Sequence, residues 1–238
     1  MALAVYGATH VGRRPTNEDA FLVDESLGLF VVADGMGGHQ AGEVASGMAV
    51  KTIREVVARA NEPAGARLLD TAVRQANEDI LSAADEMTGH AGMGTTVVAT
   101  LVVDQTATYT GVGDSRIYLW RGEALTQLTH DDTWIAHVLP EGTSINSADL
   151  QRHPMRHVLT KVVGLRDDLE LVVDRVDLRA GDILLLCSDG LHGCLSDGRI
   201  AAAVQSGPGV KDIVDRLIAE AVDGGGTDNV TAVAIRME

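Results

Sequence analysis

Leu29-Phe30-Val31-Val32-Ala33-Asp34-Gly35-Met36-Gly37-Gly38-His39 is the stretch whose reading decides the fold. Its unbroken apolar run has the length and residue types of a buried strand. The run ends on a carboxylate, and a charge at the end of a buried strand has to be neutralised. The pattern recurs. Ile183-Leu184-Leu185-Leu186-Cys187-Ser188 runs into Asp189-Gly190, and Gly226-Thr227-Asp228-Asn229 leads into Val230-Thr231-Ala232-Val233-Ala234-Ile235. A further aspartate, Asp114, sits in Gly113-Asp114-Ser115-Arg116, again between apolar strands. Taken singly, Asp-Gly and Asp-Asn are common turn dipeptides. The glycine density after Asp34 exceeds that of an ordinary turn. Carboxylates far apart in sequence but able to converge point to a hard-cation site built from oxygen ligands.

Around these ends the pattern is that of one domain spanning residues 1–238. Strands are expected at 3–9, 20–24, 28–33, 94–103, 107–113, 116–121, 123–127, 169–177, 182–187 and 229–237. Ala45, Met48, Ala49, Ile53, Val56, Val57 and Ala60 recur at helical spacing, as do Leu69, Ala72, Val73, Ala76, Ile80, Ala83, Ala84 and Met87. Residues 131–139 read as a short helix, 197–205 and 210–222 as further helices, and 140–164 as an irregular polar loop. Helices set within runs of strands indicate an α+β fold with antiparallel sheets.

Bulk properties narrow the function. The chain has 238 residues, 45% of them hydrophobic, enough to bury a sizeable core. Its formal net charge of −15 argues against nucleic acid and anionic membranes, both of which call for basic surface. Basic residues near Arg14 and between Arg152 and Lys161 run against this charge and can receive phosphate. Cys187 and Cys194 have neither zinc nor redox spacing, consistent with a reduced, cytoplasmic setting. The first residues lack the features of a signal peptide. No window reaches the roughly 18 apolar residues of a membrane span.

Six segments in order resemble the metal-dependent protein phosphatase family of type 2C in its compact bacterial form. They are Gly12-Arg13-Arg14-Pro15-Thr16-Asn17-Glu18-Asp19, Asp34 to His39, Gly94-Thr95-Thr96, Gly113 to Arg116, Ser188-Asp189-Gly190-Leu191 and Gly226-Thr227-Asp228-Asn229-Val230-Thr231. The resemblance implies a four-layer α-β-β-α sandwich, two antiparallel sheets flanked by helices, with metals at one end between the sheets. It also implies hydrolysis of phosphoserine and phosphothreonine by a metal-bridged hydroxide, with two Mg²⁺ or Mn²⁺ ions. Carried over residue by residue, Asp34 bridges the ions, the Gly35 carbonyl takes one of them, and Asp189 and Asp228 hold the other. Glu18 and Asp19 hold metal-bound waters, Asp19 lying closer. Arg14 grips phosphate, for which a planar, permanently charged fork is suited. Asp114 and Asp189 share a weaker third ion, weaker because Gly193 stands where eukaryotic relatives often carry another aspartate.

His39 has two readings, proton donor to the leaving hydroxyl or a loop residue that orders the turn. The other histidines show no metal-ligand spacing. The loop at 140–164, with Arg152, His153, Arg156, His157 and Lys161, matches the family's flap beside the active site. The implied partners are phosphorylated proteins, a serine/threonine kinase and its substrates, met by a monomer. Two rivals remain, a regulatory or pseudo-phosphatase module of the same fold and a small-phosphoester metallohydrolase. A regulator acting on an anti-sigma antagonist or a secretion-system protein would differ in partner, not in chemistry.

Overall fold

The structure, a computed structural model, describes residues 2–37, 41–60, 65–86, 91–138, 155 and 157–238. Its strands are β1 (Leu3–His10), β2 (Asp19–Asp24), β3 (Leu29–Met36), β4 (Gly94–Thr95), β5 (Val97–Val103), β6 (Thr106–Val112), β7 (Arg116–Arg121), β8 (Ala124–Gln127), β9 (Val173–Asp177), β10 (Ile183–Cys187) and β11 (Val230–Met237). Its helices are α1 (Ala41–Arg59), α2 (Ala66–Glu86), α3 (Trp134–Val138), α4 (Asp189–His192), α5 (Asp197–Ser206) and α6 (Val210–Asp223).

Two antiparallel sheets form. One has the order β1-β11-β10-β7-β8; the other has the order β2-β3-β5-β6-β9, with β4 paired to β3. The two-residue period of a strand explains how the layers stack. On β3, Leu29, Val31 and Ala33 face α1 and α2, while Phe30 and Val32 face the other sheet. On β10, Ile183, Leu185 and Cys187 pack with α5 and α6, while Leu184 and Leu186 point into the seam between the sheets. Runs that are apolar at every position are thus strands buried on both faces. Three apolar cores separate four layers, α-β-β-α, as the resemblance implies.

Several local expectations are corrected. The strand expected to end at residue 33 continues through Asp34-Gly35 to Met36. Asp189-Gly190 is not a turn; Asp189 opens α4 with Ser188 as N-cap. The strand expected at 94–103 breaks at Thr96, whose backbone N–H turns to the carbonyl of Asp34 at 2.8 Å. The strand expected at 169–177 is confined to Val173–Asp177. Before it, side chains take the backbone carbonyls: Arg74 donates to that of Leu169 and Thr110 to that of Val172, both at 2.7 Å. Most of the loop at 140–164 lies outside the described residues, including Arg152, His153 and Arg156.

Candidate metal centre

The C-terminal ends of β3, β6 and β10 and the entry to β11 meet at one end of the sandwich, around a cleft of about 500 Å³. Arg14, Glu18, Asp34, Asp114, Asp189 and Asp228 all line it.

Each carboxylate is set by its backbone. The Asp34 N–H donates to Thr96 Oγ1 (3.0 Å), and its carbonyl accepts from Thr95 Oγ1 (2.9 Å). Gly35 donates its N–H to the Glu18 carbonyl at 3.0 Å. A Cβ on Gly35 would sit 2.0 Å from the carbonyl oxygen of Gly42 in α1. Glycine at this position is therefore required by helix-on-strand packing. Gly190 lets α4 approach in the same way, its Cβ position lying 1.9 Å from the Asn229 carbonyl oxygen. Asp114 stands on a braced turn. His192 Nε2 lies 2.9 Å from its carbonyl oxygen, and Arg116 makes a two-pronged pair with half-buried Asp131, its Nη2 reaching Oδ2 at 2.6 Å.

The site is strongly anionic. Burial, then the charges of Asp19, Asp189 and Asp114, hold the Asp34 carboxyl well above its usual range. Burial, followed by Asp189, pushes Asp114 up to about 8. Asp189 is raised by burial and then by Asp228. Asp19 lies directly opposite Asp34 across β2 and β3. Its Oδ2 accepts hydrogen bonds from Ser188 Oγ (2.8 Å) and Thr231 Oγ1 (2.6 Å), yet burial still lifts its pKa to about 6. Asp19 Oδ1 and Asp189 Oδ1 are sealed from solvent and take no hydrogen bond. Sealed carboxylate oxygens without donors are costly unless a cation or bound water meets them. An all-oxygen set of this kind fits a hard divalent ion such as Mg²⁺ or Mn²⁺.

A family profile described as Protein phosphatase 2C matches residues 6–225. The chain belongs to the protein phosphatase 2C family. It is 40% identical over 222 residues to the serine/threonine protein phosphatase PstP of Mycobacterium tuberculosis, covering 92% of this chain but only 42% of that protein. The chain thus spans less than half the length of this relative. It is 32% identical over 232 residues to the serine/threonine phosphatase stp of Listeria monocytogenes, covering 94% of this chain and 92% of that one. A crystal structure of the catalytic domain of the serine/threonine protein phosphatase PstP in complex with 2 manganese ions superimposes with a TM-score of 0.86. Its identity is 35%, and the match covers 99% of both chains.

In this phosphatase 2C chain the fold brings together every expected site residue that the structure describes; His39 lies outside the described residues. Arg14 pairs with Asp228, Nη2 to Oδ2 at 2.7 Å, at the mouth of the cleft. Glu18 also lines the cleft, and burial raises its pKa. Asp19 sits behind them on its two hydroxyl donors.

The sequence reading missed several residues. Asn229 reads as a turn former, but its side chain clasps the loop that carries Arg14. Its Oδ1 accepts from the Glu18 N–H (2.8 Å), and its Nδ2 donates to the carbonyls of Val11 and Thr16 (2.9 Å each). Its place directly after Asp228 was the only available signal. Thr96, Ser188 and Thr231 lie within the quoted segments, and their hydroxyls fix Asp34 and Asp19. His157, which no spacing along the chain marks as a ligand, stands beside Asp114 and Asp189.

Proposed function

We propose that this chain is a Mg²⁺- or Mn²⁺-dependent phosphatase of phosphoserine and phosphothreonine in proteins. It would act in the cytoplasm against a serine/threonine kinase. The observation that carries this reading is the pair of sealed, donor-free oxygens on Asp19 and Asp189, set among the raised carboxylates Asp34 and Asp114. Kinship with serine/threonine phosphatases, one of them solved with 2 manganese ions, supports it. Among the described residues, no helix is long and apolar enough to cross a membrane.

In this reading Asp34, the Gly35 carbonyl, Asp189 and Asp228 hold two ions, and Asp114 with Asp189 a weaker third. Bound ions of this kind supply an activated water and neutralise phosphoryl oxygens. Asp19 and Glu18 orient the water around them. Arg14 commits one nitrogen to Asp228. Its other donors face the cleft mouth, where they receive the phosphoryl oxygens of the substrate. Asn229 holds the Arg14 loop in register with Asp228. His39 is the proposed proton donor to the leaving serine or threonine oxygen.

The test is hydrolysis of phosphopeptides and of nucleotides before and after exhaustive chelation. Phosphopeptide turnover that vanishes on chelation and returns with Mn²⁺ is expected. Turnover that survives chelation, or that favours nucleotides, refutes the reading.

A further inference from the structure

One side chain outside the residues assigned by the resemblance enters the same cleft. A ring nitrogen of His157 and one carboxylate oxygen each from Asp114 and Asp189 lie within 4.8 Å of one another. His157 Nδ1 is 3.9 Å from Asp189 Oδ2. That is too long for a hydrogen bond. It suits two donors on one ion, which at bond lengths of about 2.0–2.2 Å stand about 3–4 Å apart. The second oxygen of Asp189 is independently marked, being sealed and without a hydrogen bond.

His157 is also tied to this place, although its side chain is exposed. The Trp134 N–H donates to the Val158 carbonyl and the Thr160 N–H to that of Asp132, both at 2.8 Å, while Leu159 bridges to Thr133. Asp132 in turn holds Gly113. Its N–H donates to the Gly113 carbonyl (2.8 Å), and its Oδ2 accepts from the Gly113 N–H (3.1 Å). A continuous backbone lacing therefore connects the segment bearing His157 to the turn bearing Asp114.

We propose that Asp114, Asp189 and His157 form a cation site of mixed nitrogen and oxygen donors. The inference rests on reading the cleft as a metal centre and adds a ligand and a preference to it. Imidazole suits Zn²⁺, and Mn²⁺, a transition metal that also takes oxygen, accepts it more readily than Mg²⁺, which keeps to oxygen and water. The site therefore takes Mn²⁺ or Zn²⁺ over Mg²⁺.

The test uses untagged full-length protein and reads metal binding directly. Electron spin-echo spectra of the Mn²⁺-loaded protein should show nitrogen modulation from a coordinated imidazole. His157→Ala and His157→Gln should lose it, with their folding checked by circular dichroism. In calorimetric titration the weakest class of Mn²⁺ should bind roughly tenfold or more weakly in both variants, since even changes to a ligand's supporting groups cost that much. Mg²⁺ binding should not change. Asp34→Asn should lose the tight class and keep the nitrogen signal. Modulation that persists in His157→Ala, or an unchanged Mn²⁺ isotherm, overturns this inference alone. A wild-type protein that binds no Mn²⁺ at all overturns the metal-centre reading with it.

Discussion

Replacing Asp34 by Asn should stabilise the metal-free protein while abolishing its activity. Asp34 faces Asp19 directly across β2 and β3 and lies within reach of Asp189, Asp114 and Asp228. Facing residues of an antiparallel pair have Cβ atoms about 5 Å apart. At an effective dielectric near 20, one like-charge pair at about that distance costs about 3 kcal/mol. Screening and partial protonation reduce the gain from deleting one charge to about 2–3 kcal/mol. In a domain of this size that raises Tm by about 4–12 °C. The assay is thermal unfolding at pH 8 in chelator and again in excess Mn²⁺. In chelator Asp34→Asn should melt above wild type. In Mn²⁺ the order should reverse, because an ion at about 1,000 times its Kd in the tight site built on Asp34 adds about 4.1 kcal/mol to wild type and not to the variant. Phosphopeptide turnover of the variant should be at background. A variant that melts below wild type in chelator would refute the account of mutual repulsion. Near-normal turnover would refute Asp34 as the bridging ligand.

The remaining expectations concern pH, phosphate grip and the loop clasp. Asp19 and Asp114 have folded pKa values of about 6 and about 8, above the ordinary 3.8, so their contribution to stability is complete below about pH 4 and lost as pH rises through those values. Metal-free Tm should accordingly fall from about pH 5 to about pH 8.5, and saturating Mn²⁺ should flatten the slope; a Tm that rises over this range would contradict the charge assignment. Arg14→Ala removes a charged donor worth roughly 10–100-fold, expected mainly in KM, with a smaller fall in kcat. Unchanged steady-state kinetics on a phosphopeptide and an aryl phosphate would return Arg14 to ordinary surface. Asn229→Ala breaks three hydrogen bonds to the Arg14 loop and should cost about 2–4 kcal/mol in urea unfolding, with a raised KM. Wild-type stability would show that the loop holds itself.

The layers were legible because strands buried on both faces are largely apolar, as are β3 up to Ala33, β10 throughout and β11 apart from Thr231 and Arg236. The aspartates were legible because each breaks such a run at its end. What escaped the sequence depends on contacts made across long separations. The helix at Asp189 has four residues, too few for a periodic pattern, and its Ser188 cap looks like a turn residue. The extended stretch from Leu169 to Val172 has strand-like composition but lends its carbonyls to Arg74 and Thr110. His157 reaches Asp189 only because Asp132 laces two distant segments together, and no spacing along the chain encodes that. The packing that requires glycine at position 35 is likewise invisible along the chain, since it comes from a helix laid on the strand.

The order β1-β11-β10 has a consequence for synthesis. The eleventh strand lies between the first and the tenth, in register with β1 from Leu3↔Met237 to His10↔Val230. Until β11 emerges from the ribosome, β1 has no place in the sheet, Asp19 lacks its Thr231 donor, and the Arg14 loop lacks the Asn229 clasp. The site therefore cannot form until β11 has been made, when a late segment of the chain closes a gap beside an early one.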